Sequence, residues 1–363
     1  MFVQKYLLFW FVFGWVTCSF AAAQSSAAPA GGSPLSQTVL LTPPPSEGPV
    51  VVQAGFQVLD VNQIEDQSET FEFSGILTLR WKDTRQAFDP AVEGVAEKMY
   101  LGDYQFNELS PSWYPEVILL NVAGLFEKSG VVLRIQPDGS CQLTQSVNAV
   151  AKTRLNLRRY PFDRQVLEAS FAALGFDNRE VVMEALPLGE RDPSSIRIPQ
   201  WNLKSITSIV RDSPATYLDN AALASTLVLQ MEVRRYAMFI MRLVVMPLFL
   251  VVILSWSVFW MDRASLGDRM SVSFVGLLTV VAYQIVLGDI LPHISYVTLI
   301  NGFLNFSFFI MCATVVANLV VGAYDRGGHP EAGDRLDKIC RWAFPLAYGL
   351  LLALALILAF TLY

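Results

Sequence analysis

Four long apolar segments dominate the C-terminal third of the chain. Each is long enough to cross a bilayer as an α-helix, which needs about 20 residues. Lysine and arginine occur in the first and third connections between these segments but not in the second. Because basic loops remain in the cytoplasm, the pattern predicts four membrane-spanning helices with both basic connections on the cytoplasmic side. The predicted spans are about 236–260, 268–291, 295–323 and 342–362.

Between Val50 and about Arg235 the chain consists of short runs in which apolar and polar residues partly alternate. A period of two is typical of β-strands with one buried face. Turn sequences such as Pro137-Asp138-Gly139 separate the runs. About ten runs predict an all-β, immunoglobulin-like antiparallel sandwich over residues 49–235, followed by an α-helical four-span domain over residues 236–363.

The N-terminal segment, residues 1–23, has the layout of a secretory signal peptide. Lys5 precedes an apolar run, and the small residues Ala21-Ala22-Ala23 follow it. A retained anchor helix is the alternative. Residues 24–48 are rich in proline, serine and glycine, which predicts a flexible leader. Export by the signal places the β domain outside the membrane, in agreement with the basic cytoplasmic connections.

Composition excludes several classes of protein. With 53% hydrophobic and 16% charged residues over 363 positions, the chain is too apolar for a soluble protein. The net charge of −6 and the lack of basic runs exclude a nucleic-acid partner. No nucleophile–base pair, phosphate loop or metal-ligand spacing occurs, so we expect no enzyme, no cofactor and no metal. Only Cys141 lies in the exported domain, which therefore has no internal disulfide.

The second apolar segment carries a stripe of residues spaced alternately three and four apart, which share one face of a helix. The stripe has an acid at each end, a hydroxyl near one end and aliphatic side chains between. Its length of roughly 32 Å, at about 1.5 Å per residue, is enough to cross a bilayer. Acids are costly against lipid but attract cations along a water-filled axis, so the stripe predicts a pore-lining helix. Its members are Asp268, Ser271, Val275, Leu278, Ala282, Ile285 and Asp289.

An aliphatic stripe with this spacing is also typical of a packing seam, and a terminal aspartate often marks a helix end in water. A chain that used the stripe only for packing would be a membrane-anchored sensor or binding module that does not conduct. The polar ends of the stripe favour the pore.

Short motifs occur in a fixed order along the exported domain and the spans. In this order and spacing they resemble the motifs of the pentameric ligand-gated ion channels, the Cys-loop receptor superfamily, over nearly the whole mature chain. The resemblance implies the fold described above, assembled as a homopentamer in a lipid bilayer. The motifs are Trp81-Lys82-Asp83, Trp113-Tyr114-Pro115-Glu116, Arg158-Arg159-Tyr160-Pro161-Phe162-Asp163, Pro247, Asp268-Arg269-Met270-Ser271 and Leu291-Pro292.

The segment from Thr153 to Leu167, which contains Arg158-Arg159-Tyr160-Pro161-Phe162-Asp163, resembles the signature loop of the family but departs from its animal pattern. Animal members close it with two cysteines, and Thr153 and Leu167 stand at those places here. This is the cysteine-free form of bacterial members. The resemblance therefore implies a prokaryotic channel, with several spans in the bacterial inner membrane and its N-terminal domain in the periplasm.

The resemblance also implies selectivity for monovalent cations. Asp268 would form an acidic ring at the cytoplasmic mouth, with a hydroxyl ring at Ser271 beside it. Anion-selective members carry a Pro-Ala insertion before the basic residue, and Gly267-Asp268-Arg269 has none. Two alternatives remain: an anion-selective member of the same family, and an Asp268 that only pairs with Arg269 or Arg263.

Further positions receive roles from the family. Leu278, Ala282 and Ile285 would form a gate that closes by excluding water, and Asp289 an outer acidic ring. Coupling between the domains would use a charge cluster and its surroundings, with a static structural ion pair as the alternative. The coupling residues implied are Asp66, Asp163, Arg235, Arg159, Pro161 and Pro292.

An agonist, either a small molecule or a proton, would act on the exported domain. Phe176, Tyr217 and Trp113 are the aromatic candidates near the loop at about 211–222, and ordinary packing is the alternative for each. Glu69 and His293 are candidates for proton sensing. The pore-helix histidine associated with proton gating in the family is replaced by Val280, which argues against that agonist.

Overall fold

The computed structural model of the protein describes residues 42–104, 113–187, 192–215, 217–218, 222–262, 265–290 and 294–361. The predicted signal peptide and most of the predicted leader lie outside the described residues. The side chains of Tyr104, Ser194, Asp289 and Ile290 are outside them as well.

Ten β-strands occur in the described part of the exported domain, in agreement with the predicted number. Their alternation is regular where one face packs inward: along β2, from Thr70 to Ile76, every second side chain is buried. The strands are β1 Val50–Glu65, β2 Thr70–Lys82, β3 Lys98–Leu101, β4 Val117–Leu119, β5 Val122–Ile135, β6 Ser140–Lys152, β7 Arg164–Ala173, β8 Val181–Ala185, β9 Trp201–Pro214 and β10 Leu223–Arg235.

The strands form two packed sheets, with the orders β3-β5-β6-β2-β1-β8 and β4-β7-β10-β9. Phe56 and Phe73 of the first sheet meet Phe171 of the second, and the Phe56 and Phe171 rings stack with centroids 5.1 Å apart. The predicted all-β sandwich is confirmed. It is not wholly antiparallel, because β8 returns beside β1 in parallel.

Four helices follow the sandwich, and each is long and apolar enough to cross a membrane. They are α1 Met238–Trp260, α2 Leu266–Ile290, α3 Leu299–Arg326 and α4 Pro330–Thr361. In α1 the segment Met241–Val245 has π-helical spacing just before Pro247. Proline has no N–H to donate to the preceding turn, and a wider turn accommodates that loss.

The helix α4 begins before the predicted span at 342–362. Its first turns carry charged residues, including Asp334, Arg335 and Lys338, and nothing in that sequence interrupts a helix. Hydropathy locates the apolar span, whereas the helix continues beyond it because helix propensity does not depend on apolar character.

Two glycines bring α2 close to its neighbours. A Cβ on Gly276 would clash with Ser255 of α1 and would lie 2.6 Å from Met311 Cε of α3. On α3, a Cβ on Gly322 would lie 2.8 Å from the Leu266 side chain at the start of α2. Close approach of backbones at small residues is typical of packed membrane helices. One face of α2 is thereby fixed against α1 and α3.

Candidate functional site

The predicted stripe of α2 lies on a face that no other helix in the described part of the chain covers. Val275, Leu278 and Ile285 are 64%, 67% and 64% exposed, and Ala282 is exposed too. Asp268 and Ser271 are exposed at the start of the same stripe. The backbone of Asp289 continues the helix, but its side chain lies outside the described residues.

The opposite face of α2 packs against α1, α3 and α4. Arg269, Ser273 and Val280 are fully buried there. The Asn318 side-chain amide of α3 donates a hydrogen bond of 2.9 Å to Ser273 Oγ. This second face of α2 is the one that packs within the chain, and the polar-ended stripe lies outside it.

Asp268 and Arg269 are adjacent in sequence but do not pair. Both terminal nitrogens of Arg269 donate to the carboxylate of Asp337 in α4, at 2.7 and 3.1 Å. Asp268 has no ion pair or hydrogen bond through its side chain to another described residue, and Arg263 lies outside the described residues. The Ser271 hydroxyl donates to Gly267 O at 2.9 Å, so its lone pairs remain available as cation ligands.

At the junction between sandwich and helices, Arg235 at the end of β10 joins two carboxylates. Its Nε donates to Asp163 at 2.8 Å, and Nη1 and Nη2 each donate to Asp66 at 2.8 Å. The side chains of Arg235, Asp66 and Asp163 are 2%, 12% and 1% exposed. The resemblance to the family grouped these three residues, and the structure brings them into one buried cluster.

Aromatic rings cover the guanidinium of Arg235. Its centre lies 4.0 Å from the Trp201 ring and 4.7 Å from the Tyr160 ring. Gln165 Nε2 donates to Asp163 at 2.6 Å and to the carbonyl of Asn156 at 2.9 Å. Sequence reasoning missed Trp201 and Gln165. A buried cation needs such partners, but their positions in the chain do not reveal which ones meet it.

Burial dominates the ionisation of this cluster. Burial raises the pKa of the Asp66 carboxyl above its ordinary value, although hydrogen bonds from Arg235 act against the shift. Burial likewise raises the pKa of Tyr160 to about 12. For Arg235 the loss of water favours the neutral form, but the hydrogen bonds to both carboxylates outweigh it and raise its pKa. The Asp66 carboxylate therefore takes up a proton at a higher pH than an ordinary aspartate does, because its pKa is raised.

Two family models match this chain. One is the neurotransmitter-gated ion-channel ligand binding domain, over residues 39–237. The other is the neurotransmitter-gated ion-channel transmembrane region, over residues 244–331. The chain belongs to this family of ligand-gated ion channels. It is therefore a multi-pass membrane protein with an extracellular domain, and its family is not one of enzymes.

Relatives of this channel come from bacteria and animals. A proton-gated ion channel of Gloeobacter violaceus is 28% identical over 86% of this chain and 84% of the relative. A glutamate-gated chloride channel of Drosophila melanogaster is 25% identical over 70% of this chain and 55% of the relative. The acetylcholine receptor subunit beta of Xenopus laevis is 25% identical over 75% and 56%. The channel thus spans most of the bacterial relative and little more than half of these animal ones.

The signature loop of the channel contacts three membrane elements. The Tyr296 hydroxyl, between α2 and α3, accepts from Leu157 N at 3.1 Å, and Leu299 N donates to Arg158 O at 2.9 Å. Arg159 Nε donates to the carbonyl of Ala359 near the end of α4, at 3.1 Å. The same loop supplies Asp163 to the Arg235 cluster, so one segment touches both sides of the junction.

The loop closes without a disulfide. Thr153, at one family cysteine position, donates through its hydroxyl to Val166 O at 3.3 Å, and Leu167, at the other, is fully buried. Pro161 is buried at the turn of the loop. Pro292 and His293, predicted for coupling and proton sensing, lie outside the described residues. Hydrogen bonds and packing take the place of the covalent link.

The aromatic candidates for an agonist site take different positions. Trp113 is 5% exposed and packs edge-on between Trp81 and Phe176, which is a place in the core. Phe176 and Tyr217 are half-buried. The Tyr217 hydroxyl donates to Ala173 O at 2.8 Å and is also 3.3 Å from Phe176 O. Of the three aromatic candidates, Phe176 and Tyr217 are the two that are partly accessible at the protein surface.

Glu69 has a structural contact of its own. It lies in the turn between β1 and β2 with a positive φ of 55°, which non-glycine residues adopt rarely. Its carboxylate accepts from Leu155 N at 3.3 Å, and its carbonyl accepts from Thr153 N at 2.9 Å. Glu69 thus connects the β1–β2 turn to the start of the signature loop.

Proposed function

We propose that this protein is a homopentameric, cation-selective ligand-gated channel of the bacterial inner membrane. The observation that carries the proposal is the uncovered, polar-ended stripe of α2. Aliphatic side chains on that stripe could face lipid, but an acid within a span is costly there. Subunits arranged around an axis would remove the stripe from lipid and place Asp268 in contact with water.

The stripe then provides a selectivity region and a gate. Asp268, repeated around the axis, attracts cations and repels anions at the cytoplasmic mouth, and Ser271 offers hydroxyl oxygens to a partly dehydrated ion. Leu278, Ala282 and Ile285 narrow the middle of the pore and close it by excluding water. Asp289 forms the outer acidic ring of the proposed pore.

Agonist binding reaches the gate through the junction. We propose that a small molecule binds near Phe176 and Tyr217, whose aromatic faces suit an ammonium group. The Arg235 cluster then acts as a two-state contact between sandwich and spans, transmitted by the signature loop through Arg159, Pro161 and Pro292. Protons are the alternative agonist, and Glu69, His293 and Asp66 are the groups through which they would act.

The localisation follows from the same features. The cysteine-free loop and the match to a bacterial channel over most of its length support a bacterial source. We further propose that residues 1–23 are a cleaved signal, residues 24–48 a leader, and residues 49–235 the periplasmic ligand-binding domain, ahead of the membrane domain at 236–363.

The test is ionic current from the purified full-length protein in a planar bilayer under a KCl gradient. Outer pH is stepped from about 8 to 4 and then to about 9.5, a range that spans the ordinary pKa values of carboxyl and imidazole groups, and primary amines are added afterwards. A reversal potential near the potassium value supports cation selectivity. A reversal potential near the chloride value favours the second candidate, an anion-selective channel. The similarity to a glutamate-gated chloride channel is the observation that supports this second candidate. Absence of current under every condition contradicts the proposal.

A further inference from the structure

A buried ion pair joins the pore helix to the outermost helix of the bundle. Arg269 follows Asp268 directly, yet its side chain is fully buried, and the Asp337 side chain is 4% exposed. The two groups meet in a bidentate arrangement, with N–O distances of 2.7 and 3.1 Å. Bidentate pairing fixes both the position and the orientation of a guanidinium.

A polar network holds the same part of the bundle. Ser273 Oγ donates to Arg269 O at 3.0 Å, and Asn318 of α3 donates to Ser273 at 2.9 Å. Ser273 and Asn318 are fully buried. Among the described residues, Arg269 Nε and Asn318 Oδ1 have no hydrogen-bond partner. Replacing a buried ion pair by apolar residues is often neutral or stabilising, so stability alone does not account for this one.

The pair has a consequence for the charge of the proposed mouth. A positive group on residue 269 would cancel the field of the carboxylate on residue 268 if its side chain turned to the same aqueous face. Asp337 holds the guanidinium on the opposite side of α2. Among the described residues of the exposed stripe, Asp268 therefore supplies the charge at its cytoplasmic end, and that charge is negative.

We propose that Asp337 determines the charge selectivity of conduction, as a positioning residue that keeps Arg269 out of the permeation path. This inference rests on the proposed channel function. The helix α4 contributes no residue to the stripe, but under this proposal it affects whether cations or anions permeate. Without Asp337 a buried, unpaired guanidinium has a strong preference for water, and a long arginine side chain can carry its charged end toward an aqueous surface.

The first test compares reversal potentials of full-length variants in liposome-derived bilayers under a KCl gradient. Asp337→Asn should lower the potassium-to-chloride permeability ratio by roughly threefold or more, the effect of one unit charge a few ångströms from another in water. Arg269→Gln combined with Asp337→Asn should restore the wild-type ratio, because no charge is left to move. Glu331→Gln, at an exposed acid earlier in α4, is the matched control and should leave the ratio unchanged.

Two results would overturn the proposal. One is an Asp337→Asn channel with lowered thermal stability but an unchanged permeability ratio, which would make the pair purely structural. The other is a double variant more cation-selective than wild type, which would mean that the Arg269 charge already reaches the mouth.

A second readout does not require current. A hydrophilic arylglyoxal modifies accessible guanidinium groups, and mass spectrometry of the peptide that contains residue 269 measures the reaction. Arg269 should be protected in the wild type and in Glu331→Gln, and modified in Asp337→Asn. Protection in all three refutes the proposal. If the wild type passes no current, the proposed function fails, and the modification pattern still decides whether Asp337 confines Arg269.

Discussion

At the scale of single residues, neighbours in sequence take opposite environments. Asp268 is exposed and Arg269 is fully buried, because successive positions on a helix point about 100° apart. At the junction the reverse occurs, since Asp66 and Arg235 are far apart in sequence and meet at 2.8 Å. The position of a charged residue in the sequence therefore does not reveal which charged group it pairs with.

Removing the acid at the start of the stripe tests its role in selectivity. We expect Asp268→Asn to reduce the potassium-to-chloride permeability ratio by roughly threefold or more, since it removes one charge per subunit beside the ion path. The measurement is the reversal potential under a KCl gradient. Asp262→Asn, at an exposed acid outside α2, serves as the control. An unchanged ratio in Asp268→Asn would mean that the acid does not face the permeating ion.

The raised pKa of Asp66 predicts how stability depends on pH. A carboxyl whose folded pKa exceeds its unfolded pKa contributes stability below the unfolded value, about 4, and that contribution is lost as pH rises through the folded pKa. In thermal unfolding, wild type should therefore lose stability relative to Asp66→Asn as pH rises above about 4.

The control for this prediction is Asp138, a carboxyl whose pKa is shifted in the opposite direction to that of Asp66. Hydrogen bonds from Ser140 lower the pKa of the exposed Asp138. Its contribution is present above the unfolded pKa and is lost as pH falls, so Asp138→Asn should alter the pH slope in the other direction. If the stability of wild type and of Asp66→Asn changed equally with pH, the raised pKa of Asp66 would be refuted.

At the scale of elements, α2 has two faces with different partners. Its buried face meets Ser255, Met311 and Asn318, whereas its other face carries the uncovered stripe. The helix α4 is exposed in the same way over Leu346, Leu350 and Ile357, but the exposed side chains there are apolar and suit lipid. The difference between the two helices is the polar ends of the α2 stripe.

A polar residue in the middle of the stripe should open the proposed gate. Leu278→Thr shortens the side chain and adds a hydroxyl that lets water wet the constriction, so we expect a raised resting current without agonist. Leu350→Thr is the matched control: Leu278 and Leu350 are 67% and 70% exposed in the chain, but Leu350 lies on α4. If Leu278→Thr remained closed until an agonist was added, the gate would lie elsewhere.

The close approach at Gly276 should be sensitive to one added methyl group. Gly276→Ala places a Cβ against Ser255 and Met311, and such overpacking costs about 1–3 kcal/mol. The measurement is the midpoint temperature of unfolding in detergent. Gly288→Ala in the same helix meets nothing within 4 Å and should be neutral or slightly stabilising through helix propensity. Equal stability of both variants would contradict the packing described for α2.

At the scale of the whole molecule, one segment relates the sandwich to the spans. The signature loop supplies Asp163 to Arg235, Leu157 to Tyr296 and Arg159 to Ala359. A displacement of this loop would act on the start of α3 and the end of α4 together. Such a shared contact is what a switch between two arrangements requires.

The proposed pore also requires a particular assembly. We expect native mass spectrometry of the detergent-solubilised protein to give a mass of five chains, because a ring of subunits is needed to cover the stripe. Asp268→Asn should assemble equally, since it changes the mouth and not the packing faces. A monomer or a dimer in mild detergent would contradict the homopentamer.

The sequence alone determined the fold class and the grouping of the stripe residues on one face of a helix. Alternation over Val50 to Arg235 and four apolar spans are local signals, and each follows from the face that a side chain presents within its own element. The stripe from Asp268 to Ile285 was visible for the same reason, because residues three and four apart share a helix face whatever surrounds the helix.

Only the tertiary structure decided which groups meet. The pairing of Arg269 with Asp337 instead of Asp268, the rings of Trp201 and Tyr160 over Arg235, and the core position of Trp113 depend on chain segments far apart in sequence. The parallel pairing of β8 with β1 is of the same kind. Periodicity records the face that a residue presents, whereas a partner is chosen by the packing of whole elements, which no local pattern contains.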